Sequence, residues 1–345
     1  MALRVGIDAQ LTVGTPTGIG EYVTGLMRAL RERGADIVEF RARGYNPWRF
    51  DRRVVWDQLL LPLQAARRAI DVLHCASGTM PLVRTKPVIV TVHDVAWMRT
   101  QGHARAYARY YFGAFSMKRY TSARHVVLDS EFSQRELMRF LPLDPARTHV
   151  VYPGVAADYC TLRRRRATIR NVVVIGTVER RKNLAVVIAA LAKLPQEVRL
   201  VVAGPRTPYE DECRALASAL GVDARIDWMG YILRPELLNL VAGAHVIAVP
   251  SRYEGFGYAA AQALCAGVPV VVSAGGSLQE LVAGDGVCVD SDDVSGWAGA
   301  LAQLLDNPEY ADAHAEAVRA GAIARFSWAV AAGKMAQIYA AAKRS

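Results

Sequence analysis

Several features that would place this chain in a familiar class are missing from it. No uninterrupted apolar stretch reaches the ~18 residues a membrane-spanning helix needs, so membrane contact is expected to be peripheral. The N-terminus, MALRVGIDAQ, reads as a short buried strand without the basic leader and long apolar core of a signal peptide. Five cysteines (Cys75, Cys160, Cys213, Cys265 and Cys288) stand far apart, odd in number and without a C-x-x-C pair. That spacing argues against a disulfide framework or zinc cluster and fits a reducing, cytoplasmic compartment. Neither G-x-G-x-x-G nor a Walker A loop occurs, which argues against an ordinary dinucleotide site and a P-loop. The letters D-x-D occur at Asp290-Ser291-Asp292, in a late segment read as a surface turn, so no metal is expected.

What is present is enough apolar material for a large core: 52% of 345 residues. At roughly 100 to 200 residues per domain, two domains are expected. Net charge is +10, unevenly spread. Residues 1–160 hold 22 Lys and Arg against 14 Asp and Glu, residues 161–170 hold five Arg, and residues 171–345 are net −3. No aromatic-basic sheet signature accompanies the charge, so nucleic acid is not expected as a partner.

Short Val/Ile runs alternate with amphipathic stretches throughout. Leu3–Ile7, Val88–Val92, Val126–Leu128, Val172–Ile175, Arg199–Ala203, Val246–Val249 and Val268–Val272 read as strands buried on both faces. Ile19–Arg33, Leu184–Leu194, Glu210–Leu220 and Tyr258–Ala266 read as helices between them. The repeated βαβ pattern predicts α/β architecture with open parallel sheets. An Arg-rich stretch at about 159–170, without apolar periodicity, reads as the interdomain linker. The last stretch, Phe326–Ala342, is helical in pattern and docks on either domain as far as periodicity tells.

Four motifs carry candidate chemistry. GTPTGIGEY, from Gly14, is a glycine turn opening a helix, where Gly18 and Gly20 leave backbone amides open to a phosphate or sugar oxygen; a plain tight turn is the competing reading. TVHDVAW puts His93 and Asp94 at the carboxyl end of a strand, where ligands of open α/β sheets bind. IGTVERRKNL offers Gly176, Thr177, Arg181 and Lys182 before a helix capped by Asn183 or a neighbour, a setting suited to a diphosphate. In VPSRYEGFGYAAAQALCAGVPVVVS, Glu254 and Gln262 are eight apart, about 12 Å along a continuous helix, with Phe256 and Gly257 between them.

These blocks, together with GGSLQELVAGDG, resemble the retaining glycosyltransferases of family 4 over nearly the whole chain. The resemblance implies the GT-B fold: an acceptor-binding Rossmann-like domain (1–162, with the terminal helix 328–345 packing back on it) and a nucleotide-sugar-binding one (171–327), facing across a cleft. It implies that Arg181 and Lys182 neutralise the donor diphosphate. Glu254 and the Phe256–Gly257 amides would hold the transferred sugar, His93 would contact it near the reacting centre, and Gly18 and Gly20 would close the cleft. The family usually carries Glu where this chain has Gln262, at the ribose, and often Arg where it has Thr177.

The implied chemistry is metal-independent front-face transfer, with no cofactor beyond the donor itself. GTVERRKN and GIGEY look like bacterial mannosyltransferases of polysaccharide or lipopolysaccharide precursors. The expected donor is therefore GDP-mannose and the expected acceptor a polyprenyl-diphosphate-linked saccharide. A UDP-hexose or dTDP-rhamnose donor, a GT-B nucleotide-sugar epimerase and a non-catalytic binder are the competing readings. Residues 41–49 with Arg52 and Arg53 mix cations and aromatics beside the Leu59–Leu63 run. That mixture suggests a face for anionic lipid on the inner side of the cytoplasmic membrane.

Overall fold

The computed structural model describes residues 3–14, 18–42, 44, 49–96 and 110–344. The chain divides into two units, Met1–Gly154 with Ser327–Ser345, and Val155–Phe326.

The first unit is built on six parallel strands: β1 (Arg4–Asp8), β2 (Asp36–Phe40), β3 (Val72–Cys75), β4 (Val88–Val92), β5 (His125–Leu128) and β6 (Thr148–Val150). Their order is β2-β1-β3-β4-β5-β6, with Val5 opposite Val72 and Ile89 opposite His125. Strand β4, VIVTV, is buried at every position, as a strand covered on both faces must be.

Helix Gly18–Glu32 lays Tyr22, Val23, Leu26 and Leu30 into a shared core with Met335, Ile338 and Tyr339 of helix Trp328–Arg344. The indole of Trp328 occupies a hole left by two glycines: a Cβ at either Gly25 or Gly154 would lie 2.3 Å from an indole carbon. A buried polar chain fastens the same elements. Tyr22 Oη meets Thr91 Oγ1 at 3.2 Å, Thr91 Oγ1 meets His74 Nε2 at 2.7 Å, and His74 Nδ1 meets Tyr339 Oη at 2.8 Å. Burial, aided by the charge of His93, pushes the His74 pKa down to about 3, so the ring stays neutral.

The second unit repeats the plan with β7 (Asn171–Ile175), β8 (Arg199–Ala203), β9 (Ile226–Gly230), β10 (Val246–Val249), β11 (Val270–Ser273) and β12 (Val287–Val289), ordered β12-β11-β10-β7-β8-β9 and all parallel. Helices Leu184–Leu191 and Val294–Asp306 bury Val187, Leu191, Trp297 and Leu301 against the sheet. Helix Tyr258–Cys265 packs on β10 and β11 and against helix Pro308–Arg325. In each sheet the strand order reverses beside the first strand, between β1 and β3 and between β7 and β10. The crevice outside the carboxyl ends at such a switch is where open α/β sheets bind ligands.

Three expectations change. Segment 159–170 belongs to the second unit, and the division falls instead at Gly154/Val155 and Phe326/Ser327. Arg164 donates to Ala244 O at 2.5 Å and to Asp312 Oδ1 at 2.7 Å, and Arg165 N donates to Ala242 O at 2.9 Å. These bonds hold the arginines on the fold.

Arg53 leaves the expected lipid-facing surface. It is 3% exposed, ion-paired to Asp8 at 3.1 Å and Asp57 at 2.8 Å, because a guanidinium in the interior needs carboxylate partners. Arg43 and residues 45–48 of that surface lie outside the described residues. Lastly, the helix after the EGFG loop begins only at Tyr258, so Glu254 and Gln262 do not share a continuous helix. Among the described residues no helix is long and apolar enough to cross a membrane.

Candidate functional site

The switch point of the second sheet is lined by Gly176, Thr177 and Lys182 after β7 and by Pro250 and Ser251 after β10. After β7 the chain makes a tight turn at Arg180–Lys182 and enters helix Leu184–Leu191 through Asn183, a buried residue in the left-handed region (φ 54°, ψ 38°). Its side chain leaves the cap unmade and donates to Ser291 O at 2.6 Å, fixing the strained turn to the Asp290–Asp292 segment. Two cations are thereby aimed from one turn.

Both reach the same carboxylate. Glu254 Oε1 accepts from Lys182 Nζ at 2.5 Å and from Ser251 Oγ at 2.7 Å, while Oε2 accepts from Arg181 Nη1 at 3.1 Å. Arg181 is steadied further by Tyr253 O at 2.8 Å and Glu179 at 2.8 Å. Glu254 is only 7% exposed, and burial disfavours its charge; the adjacent Lys182 and Arg181 charges and the hydrogen bonds from Lys182 and Ser251 outweigh burial and hold its pKa below the ordinary value. Lys182 and Arg181 keep about a quarter of their side-chain surface exposed, so an anion reaching the crevice meets both.

The loop carrying Glu254 is clamped by the turn after β11. Ser277 N donates to Glu254 O at 3.0 Å and Ser277 Oγ to Phe256 O at 2.8 Å. A side chain cannot replace Gly276, at φ 67°, because its Cβ would lie 2.4 Å from the Glu254 backbone. Phe256 is buried edge-on against Phe326, ring centroids 5.6 Å apart. Gly257, in the left-handed region, caps helix Tyr258–Cys265. Gln262 lies in that helix, nearly buried, with no side-chain hydrogen bond among the described residues.

In the first unit, Gly18 opens its helix with open space where a Cβ would stand, and Gly20, two residues on, is buried. His93 follows β4. Its Nε2 lies 2.9 Å from Ala76 O, which only accepts, so that nitrogen carries a proton; Nδ1 lies 2.7 Å from Asp129 Oδ2. Burial alone would depress the His93 pKa, but the charge of Asp129, hydrogen bonds to Asp129 and Ala76 O, and Asp94 raise it. Both nitrogens are engaged, leaving no lone pair to act as a base. Asp94 closes a local turn by accepting from Ala96 N at 3.0 Å.

Residues 16–159 match the sequence model of Glycosyltransferase Family 4, and residues 165–321 match that of glycosyl transferases group 1. The chain belongs to the family 4 glycosyltransferases. It is 36% identical over 222 residues to the D-inositol 3-phosphate glycosyltransferase of Mycobacterium avium, covering 60% of this chain and 52% of that protein. Identity is also 36% over 242 residues with the enzyme of the same name from Xylanimonas cellulosilytica, covering 64% and 57%. The match thus spans about half the length of these curated relatives.

Among solved structures, sucrose-phosphate synthase from Thermosynechococcus elongatus superposes with a TM-score of 0.80 at 20% identity, covering 98% of each chain. WaaG, a glycosyltransferase involved in lipopolysaccharide biosynthesis, gives 0.75 at 17% identity, covering 97% and 99%. Anabaena HepE in complex with UDP and glucose gives 0.73 at 16%, covering 98% and 99%. Two six-stranded parallel sheets in this arrangement are the GT-B fold.

Within this family 4 chain, sequence reasoning found the contiguous blocks, Asn183 at the helix cap included, but missed Ser251, Asp129 and Ser277. Ser251 and Ser277 bond the Glu254 loop from outside its E-G-F-G core, and Asp129 sits 36 residues beyond His93. A polar residue ending a Val-rich strand, as in VVLDS at Asp129, is the signal that was available.

Proposed function

We propose that this protein is a retaining hexosyltransferase that moves mannose from GDP-mannose onto a polyprenyl-diphosphate-linked saccharide or a lipopolysaccharide precursor. The observation that carries the reading is the buried Glu254 joined to Lys182 and Arg181 at the β7/β10 switch point. A donor diphosphate competes with Glu254 for these two cations. Once it holds them, the Glu254 oxygens are released toward the sugar hydroxyls.

Charge develops on the departing nucleoside diphosphate, and Lys182 and Arg181, already oriented by Glu254, Tyr253 O and Glu179, stabilise it without reorganisation. Fixed cations at the diphosphate are the reason we read the reaction as metal-independent. The acceptor hydroxyl attacks from the face the diphosphate leaves, and the leaving phosphate takes its proton. The anomeric configuration is retained. Gln262, with both donor and acceptor atoms, would meet the ribose hydroxyls in place of the family's Glu. His93, protonated on Nε2 and held by Asp129, serves as a fixed positive group rather than a base.

The GDP-mannose assignment rests on the likeness of GTVERRKN and GIGEY to bacterial mannosyltransferases. A UDP-hexose is the second reading, favoured by the UDP and glucose named for the HepE structure. For the acceptor side, Val55, Leu59 and Leu63 recur every four residues along 50–67 and are 38%, 62% and 47% exposed, beside exposed Leu82 and Val83. Arg67, Arg68 and Arg84 flank them, all exposed. An apolar stripe rimmed by arginines suits an anionic lipid surface.

The test is release of nucleoside diphosphate from each sugar nucleotide with a lipid-linked saccharide present, with the anomeric configuration of the product read by NMR. An α-product from GDP-mannose supports the reading. A β-product, or epimerised donor without acceptor, contradicts it.

A further inference from the structure

His93 follows β4, and the carboxyl ends of three other strands of the first sheet are linked to its ring. Nδ1 faces Asp129, just beyond β5, and Nε2 donates to Ala76 O, just beyond β3, in the peptide that joins Ala76 to Ser77. That peptide is tied in turn to Asp8 at the end of β1, because Ser77 Oγ donates to Asp8 Oδ2 at 3.2 Å and accepts from Arg53 Nη2. The same guanidinium nitrogen lies 3.1 Å from Asp8 Oδ2 and 2.8 Å from Thr79 Oγ1, while Nε donates to Asp57 Oδ2 at 3.0 Å. Only a planar fork reaches both carboxylates and both hydroxyls at once. Trp56 Nε1 and Gln10 N donate to the other Asp8 oxygen at 2.9 and 3.1 Å and fix that carboxylate. Beyond Ser77 the loop has fastenings of its own: Tyr120 Oη donates to Gly78 O at 2.5 Å, and Gln58 Nε2 donates to Met80 O at 3.3 Å. The buried ion cluster therefore bears on His93 through one peptide.

We propose that Arg53 and Ser77 are positioning residues for His93, aiming the Ala76 carbonyl at Nε2 and so holding the ring in one orientation against Asp129. A carbonyl oxygen and a carboxylate both only accept, so a ring held between them keeps a proton on each nitrogen, and with it a positive charge. Asp94 beside the ring, Tyr22 of helix Gly18–Glu32, edge-on at 4.8 Å, and the neutral His74 of β3 also act on it. Removing the Ser77 hydroxyl leaves all of these in place. The consequence for turnover rests on the transferase reading above, in which the charged ring stands near the reacting centre; the orientation of the ring does not.

The test is a pH titration of the full-length chain by nitrogen NMR of its histidine rings, the His93 signals being assigned by their loss in His93→Gln. In wild type both His93 nitrogens should stay protonated past the ~6.5 at which a free histidine gives up its proton. Ser77→Ala, which leaves Asp8, Asp57 and Thr79 around the guanidinium, should give up a ring proton at lower pH than wild type. Arg53→Lys, which keeps the charge without the fork, should shift in the same direction. Thr79→Val removes a contact of Arg53 farther along the loop from the Ala76 carbonyl, and should titrate as wild type. In transfer assays Ser77→Ala should lower kcat about tenfold, with the KM for the sugar nucleotide within about twofold, and the alkaline fall of kcat should move to lower pH. An unchanged His93 titration in Ser77→Ala, or an equal shift in Thr79→Val, would overturn the proposal. A shifted titration with unchanged turnover would uphold the positioning and remove His93 from the transfer.

Discussion

Lys182 concentrates the proposed chemistry in one ammonium, because it is closer to Glu254 than Arg181 is and itself lines the crevice. Lys182→Ala should lower kcat by ~10² or more, the usual cost of losing a preorganised charge contact at a leaving group; steady-state kinetics showing a change within about twofold would remove Lys182 from that role. Glu254→Gln separates the two halves of the site. With the competing carboxylate gone, bare nucleoside diphosphate should bind as well as or better than to wild type, while transfer of the sugar falls by about tenfold or more.

Gln262→Glu should keep or improve donor affinity by calorimetry, and a large loss would place Gln262 away from the ribose. At this scale the cations and Glu254 were legible because they fall in contiguous blocks after Val-rich strands. Their partners were not, since Ser277 reaches Glu254 only through the fold and the pairing of His93 with Asp129 joins neighbouring strands β4 and β5.

Among elements, the helix Trp328–Arg344 shows what periodicity leaves open. Its Ala-rich pattern fits many surfaces, and the hole that selects its partner is made by Gly25 and Gly154, whose missing side chains carry no hydrophobic signal. Gly25→Ala should therefore destabilise the first unit by about 1–3 kcal/mol in chemical denaturation, because the rigid indole must move or the helix must lift; an unchanged midpoint would show that Trp328 is not seated there.

His74, which ties this helix to β3 and β4, carries a pH signature. Its folded pKa of about 3 lies below the ~6.5 of an unfolded histidine, so between these values only the unfolded chain takes the proton, and stability falls as pH drops through that window. The unfolding temperature of His74→Gln should depend less steeply on pH between about 6.5 and 4 than that of wild type. The strands missed by pattern have a common cause: β2, β6, β9 and β12 are the four sheet edges, half-exposed and short of long apolar runs, while in β3 the buried His74 interrupts the pattern.

For the whole molecule, the +10 charge first suggested a broad basic face, and the structure redistributes it. Arg53 is withdrawn into an interior ion cluster, and Arg164 and Arg166 are paired with Asp312. At the surface of the first unit the Val55–Leu59–Leu63 stripe keeps the exposed Arg67, Arg68 and Arg84 beside it. Leu59→Glu with Leu63→Glu should abolish sedimentation with vesicles containing anionic lipid and leave donor binding unchanged; vesicle binding indifferent to both substitutions and salt would remove the lipid-facing role.

Both units were legible as α/β sheets because interior parallel strands write themselves as Val/Ile runs. The division between them was not, since the Arg-rich segment that composition marks as a linker is bonded to the second fold. The most direct test of the central claim is thermal unfolding of wild type and Lys182→Ala with GDP, UDP, dTDP and their sugar conjugates. The account predicts that a nucleoside diphosphate and its conjugate, GDP and GDP-mannose foremost, raise the wild-type unfolding temperature, and that Lys182→Ala loses most of this shift. No shift with any member, or an equal shift in the variant, would contradict it.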